Sequence, residues 1–450
     1  MIINTWGPSL SRNLTFWFRS AVYLMLLLLG FSFGKVHGAK VKITLEEAFR
    51  LVETENFRIL LEQEVVEEAL QTALASRSAL LPAFDLQGAQ HRTQFVNVGR
   101  GFDSPNPPPR NRFYAKIFGR MPLFNPNRLG VWRLAKLDHQ ISEINYEGAV
   151  QLVLSETAIV YFTHLRNLHR VRLLDANIER DNLLLDLAKS QFQAGIATQI
   201  DVARVEVQLA SDQRERMQQS TVVLESELRI KRLLNIDLDS KIALETLDGT
   251  KEQVWHAYSI GIDQIFDARP DFRRASMELE RERAALKMAK REKLPSVELF
   301  GEWGWATAAI FDGQEENAWL AGLSFRIPIF EGFRIRANSL RVGARMRAKE
   351  YVLRDLENHL ESAYRLAIQE VESRFKQIAI SKKKVSLSQQ ELELAQTRFM
   401  EGVADNRDAI DAQANLTGSN DELLESIFLY NIGRLSLAQI LGDVRLLLQD

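Results

Sequence analysis

The chain has 450 residues and 46% apolar content, enough for two or three ordinary domains and too apolar for a disordered polypeptide. Its 57 basic and 59 acidic residues nearly cancel without any basic block, which argues against a nucleic-acid partner. No cysteine is present, which excludes disulfides, thiolate metal sites, a cysteine nucleophile and lipidation of a mature N-terminal cysteine.

Taken in chain order, Arg12 and Arg19 precede an uncharged stretch from Ser20 to Gly34 that holds Leu24, Leu26, Leu27, Leu28 and Leu29, followed by Val36-His37-Gly38. That order predicts a secretory signal peptide over residues 1–38, since about 15 apolar residues fall short of the roughly 20 that a spanning helix needs. Loss of Arg12, Arg19 and Lys35 leaves 54 basic against 59 acidic groups in the mature chain. Beyond this segment charges recur too often for a membrane-spanning helix, so any membrane entry is expected to use strands.

Two strands are predicted at about 84–95 and 113–123, with Pro105, Pro107, Pro108 and Pro109 marking an exposed loop between them. Proline is then absent between Pro126 and Pro270, which predicts long helices at about 127–193 and 199–234. A helix of the first length would run about 100 Å and must pack along neighbours. Its stripe Leu154, Ala158, Tyr161, Leu165, Leu168 has coiled-coil spacing. A connecting segment is expected at 241–262.

The second half repeats the plan. Strands are predicted at about 296–305 and 317–329 and long helices at about 334–401 and 405–440, the first carrying the stripe Leu353, Leu356, Leu360, Tyr364, Ala367, Val371, Phe375, Ile378. Leu81-Pro82-Ala83-Phe84-Asp85-Leu86 recurs as Leu294-Pro295-Ser296-Val297-Glu298-Leu299, and Pro122-Leu123-Phe124 as Pro328-Ile329-Phe330. Leu187, Ala188, Phe192, Gly195, Ala197, Asp201 and Leu209 recur as Leu394, Ala395, Phe399, Gly402, Ala404, Asp408 and Leu416. The chain therefore reads as a tandem repeat, 39–240 and 263–450.

Val297, Leu299, Gly301, Trp303 and Trp305 alternate with Glu298, Phe300, Glu302 and Gly304, and Trp319, Ala321, Leu323 and Phe325 form a similar apolar face. Strands of about ten residues with Trp303, Trp305 and Trp319 as a girdle match an outer-membrane barrel. Four strands cannot close one, and lipid tolerates no open sheet edge, so several copies must contribute.

These marks, together with the opening Ile43-Thr44-Leu45-Glu46-Glu47-Ala48, resemble the TolC family of outer-membrane factors over Ile43 to about Gly442. The resemblance implies a mainly α fold, a helical coiled-coil barrel carrying four β-strands per chain, and a homotrimer with a 12-stranded transmembrane barrel in outer-membrane lipid. It implies a non-lipidated exit duct of an efflux pump or type I secretion system. The helical tunnel would lie in the periplasm and be gated at its tip, docked to a periplasmic adaptor and an inner-membrane transporter.

By the same resemblance, Gly195-Ile196-Ala197-Thr198 with Asp201, and Gly402-Val403-Ala404-Asp405, are the tip turns that meet the adaptor. Asp408 and Asp411 match acids that ring the aperture, although Ala404 stands where some relatives carry a locking arginine. Read from the residues alone, Asp201 and Asp408 could equally cap helix N-termini, whereas Asp411, one turn deeper on the same face, fits capping poorly. The seven histidines form no HExxH pattern and no Walker loop or nucleophile elbow occurs, so neither cofactor nor catalysis is expected. The competing reading is an exported coiled-coil scaffold or adaptor subunit without a pore.

Overall fold

The computed structural model describes residues 41–95, 107–245, 261–308, 316–403 and 406–448. The predicted signal segment, most of the proline-rich loop and most of the connecting segment lie outside them.

Within each repeat, helices lead to a strand pair, and the strand pair leads to a very long helix and its antiparallel return. The first repeat has β1 (Val41–Ile43), α1 (Leu45–Glu55), α2 (Phe57–Ser78), β2 (Ala83–Thr93), β3 (Arg110–Phe124), α3 (Pro126–Gln193) and α4 (Gln199–Leu233). A short β4 (Ile242–Leu244) follows. The second repeat has α5 (Ile262–Ala268), α6 (Pro270–Arg291), β5 (Ser296–Thr307), β6 (Glu316–Arg326), α7 (Arg334–Met400) and α8 (Asn406–Leu441), closing on a 3₁₀ turn at Val444–Leu448.

Local chemistry sets these boundaries. Asn125 caps α3 by accepting from the Arg128 N–H at 3.0 Å, and Pro126 occupies a first-turn position where its missing N–H costs nothing. β6 ends at Arg326, three residues short of the expected 329, because Pro328 has no N–H to continue the ladder. The same constraint produces a bulge in β3 between Pro122 and Phe124, where the register against β5 slips by one.

α3 and α7 contain 68 and 67 residues, about 100 Å each at 1.5 Å per residue. α3 packs on α4 and α7 on α8, and the two hairpins lie side by side through α3 and α8. The predicted stripes face this interior: Leu154, Ala158, Tyr161, Leu360, Ala367, Val371 and Ile378 are buried. The duplication is visible in the packing as well. Leu185 and Ala188 in one cluster have Leu392 and Ala395 as counterparts in the next.

At the opposite end the four strands form one antiparallel sheet in the order β2-β3-β5-β6. The pairing Leu86 with Ile117, Ile117 with Trp303 and Trp303 with Trp319 puts these four side chains on one face. Phe84, Leu299, Leu323 and Phe325 continue that face toward the helices. Trp319 and Leu323 remain 76% and 66% exposed in the single chain. The reverse face is mixed: Phe118, Phe300 and Leu320 share it with Lys116, which is salt-bridged to Glu302, and with Glu298, which lies 3.6 Å from Arg128.

Midway along the bundle, β1 and β4 form a parallel pair that the hydropathy pattern does not reveal, each being only three residues long. It anchors the main core. The Tyr161 hydroxyl is placed between the carbonyl oxygens of Ile43 at 3.1 Å and Glu245 at 2.7 Å, and burial holds its proton well above the usual phenol range. Tyr161→Phe is expected to cost about 0.5–1.5 kcal/mol by removing these hydrogen bonds, since the Ile43 carbonyl keeps the Glu245 N–H at 3.1 Å, read as a lower urea midpoint with an unchanged slope.

Candidate functional site at the helical tips

Each long hairpin reverses through a left-handed glycine, Gly195 at φ +75° and Gly402 at φ +70°. The hydrogen bonds identify Schellman motifs. Gly195 N donates to Phe192 O at 3.0 Å and Ile196 N to Gln191 O at 2.9 Å; Gly402 N donates to Phe399 O at 3.1 Å and Val403 N to Arg398 O at 3.0 Å. A Cβ at the glycine position would be strained, because L-residues crowd the following carbonyl there.

The turns leave Ile196 and Val403 pointing outward, 66% and 69% exposed, with Ile200 and Met400 beside them. Four apolar side chains on the end of an otherwise polar bundle make a surface suited to covering by another protein. Ala197 and Thr198 complete the first turn, and Ala197 N donates to Gln191 O at 3.2 Å. Ala404 and Asp405 lie outside the described residues.

Asp201 reaches back to the Thr198 N–H at 2.8 Å and accepts the Thr198 hydroxyl at 2.6 Å. These two bonds, with the nearby Arg204, pull its carboxyl below the usual range. That is the carboxylate half of a capping box. Two further bonds tie the hairpins together: Gln191 Nε2 donates to Phe399 O at 2.9 Å and Asn406 Nδ2 to Asp201 O at 2.6 Å. Both are buried, so the tips are fastened by amide side chains that motif reading passes over.

Asp408 and Asp411 lie together on the exposed side of α8, and each has a basic neighbour. Asp408 Oδ2 is 3.8 Å from the Arg398 guanidinium and Asp411 Oδ2 is 3.8 Å from Arg407 Nε. Exposed pairs at this distance are worth about 0–1 kcal/mol. The arginines are therefore easily displaced from the acids. Sequence reading did not find Arg398 and Arg407; their signal is the i, i+4 step from Arg407 to Asp411 and the antiparallel register across the tip.

Trp303, Trp305 and Trp319 cluster near the β5–β6 turn, with the rings of Trp303 and Trp305 4.9 Å apart. Phe84 and Phe325 stand at the helical end of the same face. The six-residue separation from Trp319 to Phe325 spans about 20 Å, comparable to an outer-membrane apolar band. Among the described residues no helix is long and apolar enough to cross a membrane, and no group of three or more metal-ligating side chains occurs. His164 instead sits in the α3–α4 seam, its Nδ1 2.8 Å from Ser226 Oγ.

A sequence profile described as outer membrane efflux protein matches residues 54–235 and 261–443, one stretch per repeat. Nodulation protein T of Rhizobium leguminosarum bv. trifolii is 26% identical over 267 residues, covering 57% of this chain and 56% of that protein's own length. Outer membrane protein TolC of Escherichia coli strain K12 is 22% identical over 395 residues, covering 82% and 76%. Among solved structures, the CmeC outer membrane channel of Campylobacter jejuni superposes with a TM-score of 0.79 at 18% identity, covering 91% of this chain and 90% of that one. The outer membrane protein VceC of Vibrio cholerae gives 0.74 at 16%, covering 89% and 96%.

Proposed function

The chain belongs to the outer membrane efflux protein family, and from that premise we propose that it is a passive exit duct, a homotrimer whose twelve strands close a barrel in the outer membrane. The observation that carries this reading is the four-stranded sheet, apolar along one face from Phe84 and Phe325 to the tryptophans, mounted on the end of a helical bundle about 100 Å long. Its edges β2 and β6 need partners in lipid, and further copies supply them. Val352, Leu366, Ile380, Leu387 and Leu394 add an exposed stripe on α7 at multiples of seven residues, which suits a helical seam with a neighbouring copy.

The helical end forms the periplasmic entrance. Ile196, Val403 and their apolar neighbours meet a periplasmic adaptor, which joins the duct to an inner-membrane transporter that supplies the energy. Asp408 and Asp411 from three copies ring the aperture and favour cations, because crowded carboxylates attract them and repel anions. Arg398 and Arg407 moderate that field until passing ions displace them. The reverse face of the sheet, with Lys116, Glu302 and Glu298, lines a wet lumen, and the absence of cysteine fits a protein held in the membrane by its barrel alone.

The test is single-channel recording in planar bilayers with the oligomer mass measured in parallel. A trimer with cation-selective conductance is expected, and Asp408→Ala with Asp411→Ala should lower the cation-to-anion permeability ratio while leaving assembly intact. A soluble species without conductance would favour a coiled-coil scaffold instead. Conductance with selectivity unchanged in the double variant would remove the aspartates from the aperture.

A further inference from the structure

About 20 Å from the first tip, two carboxyl groups meet inside the seam between α3 and α4. Asp181 of α3 and Asp212 of α4 are 2% and 7% exposed and lie within hydrogen-bonding reach of each other. Asp212 Oδ1 accepts from Gln208 Nε2 at 3.0 Å, whereas Asp181 Oδ2 is buried with no donor at all. Two ionised carboxylates offer only acceptors, so the orphaned oxygen and the close approach are both explained once a proton sits between the pair.

One cation eases the contact without ending it. The charge of Arg180 on α3 draws both carboxyls down, but less than burial raises them, and its guanidinium donates to Asn177 and to Gln413 of α8 at 3.0 Å rather than to either acid. Glu179 on α3 and Glu215 on α4 add negative charge. α8 presents Gln413 and Thr417 to this layer, both uncharged, and its next acid, Asp421, is engaged by Arg170 at 3.3 Å. One turn along the seam, Arg216 is committed to Asp175 at 2.9 Å.

We infer that Asp181 and Asp212 form a proton-held latch that keeps α3 against α4 above the tip, and that loss of the shared proton drives the two helices apart there. The gating consequence rests on the tip-gated duct proposed above: a parted α3–α4 hairpin strains the Asn406 to Asp201 and Gln191 to Phe399 ties and biases the entrance toward opening.

The direction with pH follows from burial. Desolvation, then the neighbouring Asp212, pushes the Asp181 carboxyl up to about 7, and burial raises Asp212 as well. The packed seam thus holds a proton that a parted, hydrated seam would release near the ordinary carboxylate value. Packing is favoured at low pH and progressively loses that advantage as pH rises toward about 7, above which the loss is complete.

The natural chain has no cysteine, so spin labels at Leu183→Cys on α3 and Val207→Cys on α4, both exposed positions near the acid pair, report the separation of the two helices without background. Labelled chain is mixed with excess unlabelled chain so that assemblies carry one labelled copy. Between about pH 6 and pH 8, bracketing the Asp181 value, the wild-type distance distribution should lengthen and broaden. Asp181→Asn, whose amide donates to Asp212 permanently at the charge of the protonated pair, should keep the low-pH distribution at both values. Asp212→Asn provides the same test from the other helix.

An unresponsive wild type, or a response of equal size in Asp181→Asn, overturns the latch. Channel open probability recorded over the same range should rise several-fold in the wild type only. A label response confined to the wild type without any conductance change leaves the latch standing and removes tip gating from the proposed function.

Discussion

Gly304→Val is expected to break the four-stranded sheet, and with it assembly of the proposed barrel, while leaving the helical bundle folded. A Cβ at Gly304 would lie 2.2 Å from the carbonyl oxygen of Ala115 and 2.5 Å from the Cα of Lys116, and both obstacles are backbone of the paired strand. Backbone cannot rotate away as a side chain can, so β5 must leave its register with β3. Those are the central strands of the sheet, and the pair joins the two repeats. Overpacking of about 1–3 kcal/mol or more corresponds to a roughly 5- to 150-fold or greater loss of assembled protein. Heat-resistant oligomer in isolated outer membranes measures the loss, and circular dichroism of the purified chain checks that helix content survives. Gly301→Ala, whose Cβ would stand 3.4 Å from Leu320 O, is the tolerated control. Normal amounts of Gly304→Val oligomer would mean that β3 and β5 are not paired as described.

The second large effect is expected at the tips. Gly195→Glu and Gly402→Glu should eliminate export while the barrel still inserts, because each places a charge and extra bulk on the apolar surface around Ile196 and Val403. Two costs have to be separated. A non-glycine residue at φ +75° or +70° costs about 1–2 kcal/mol, which a bundle of this size absorbs. The Cβ itself meets nothing within 4 Å at Gly195 and only Ile196 at 3.7 Å at Gly402. Gly195→Ala therefore carries the backbone cost alone and should retain most activity. Restoration of toxic-compound tolerance in a strain lacking the gene distinguishes the variants. Equal loss in Gly195→Ala and Gly195→Glu would assign the effect to turn geometry and remove the docking surface from the mechanism.

Much of the architecture is legible because it is written in long-period features. Helices closed by Gly195 and Gly402 and free of interior proline, the stripes through Tyr161 and Val371, and the recurrence of Leu-Pro and Pro-x-Phe landmarks all survive folding unchanged. The strand faces are legible for the same reason, since Trp303 and Trp319 need only a period of two to share a face. Other features are set by three-dimensional proximity. β1 and β4 carry three residues each and exist because Tyr161 and the central core bring distant segments together. Arg398 comes within reach of Asp408 only because α7 and α8 run antiparallel, and the Asn406 to Asp201 tie crosses from one repeat to the other. Asp181 and Asp212 are ordinary helical acids in the sequence. Burial alone makes them unusual, and no spacing rule predicts which helical acids turn inward.

The sheet order also dictates when the molecule can be finished. β2 and β3 are neighbours in sequence and pair early as a hairpin, but the other edge of β3 waits for β5. Lys116 and its partner Gly304 are separated by the long helices α3 and α4, the short strand β4 and the two helices that open the second repeat. Closing so large a loop adds little to the equilibrium cost yet slows the search, because local helices form far faster than a pairing of this range. During synthesis the first hairpin therefore emerges with Leu86 and Ile117 exposed and an unpaired edge, the condition under which chains associate wrongly. Nascent or truncated chains that end before β5 are the vulnerable species, and a holding chaperone that binds the first hairpin would protect them until the second repeat arrives.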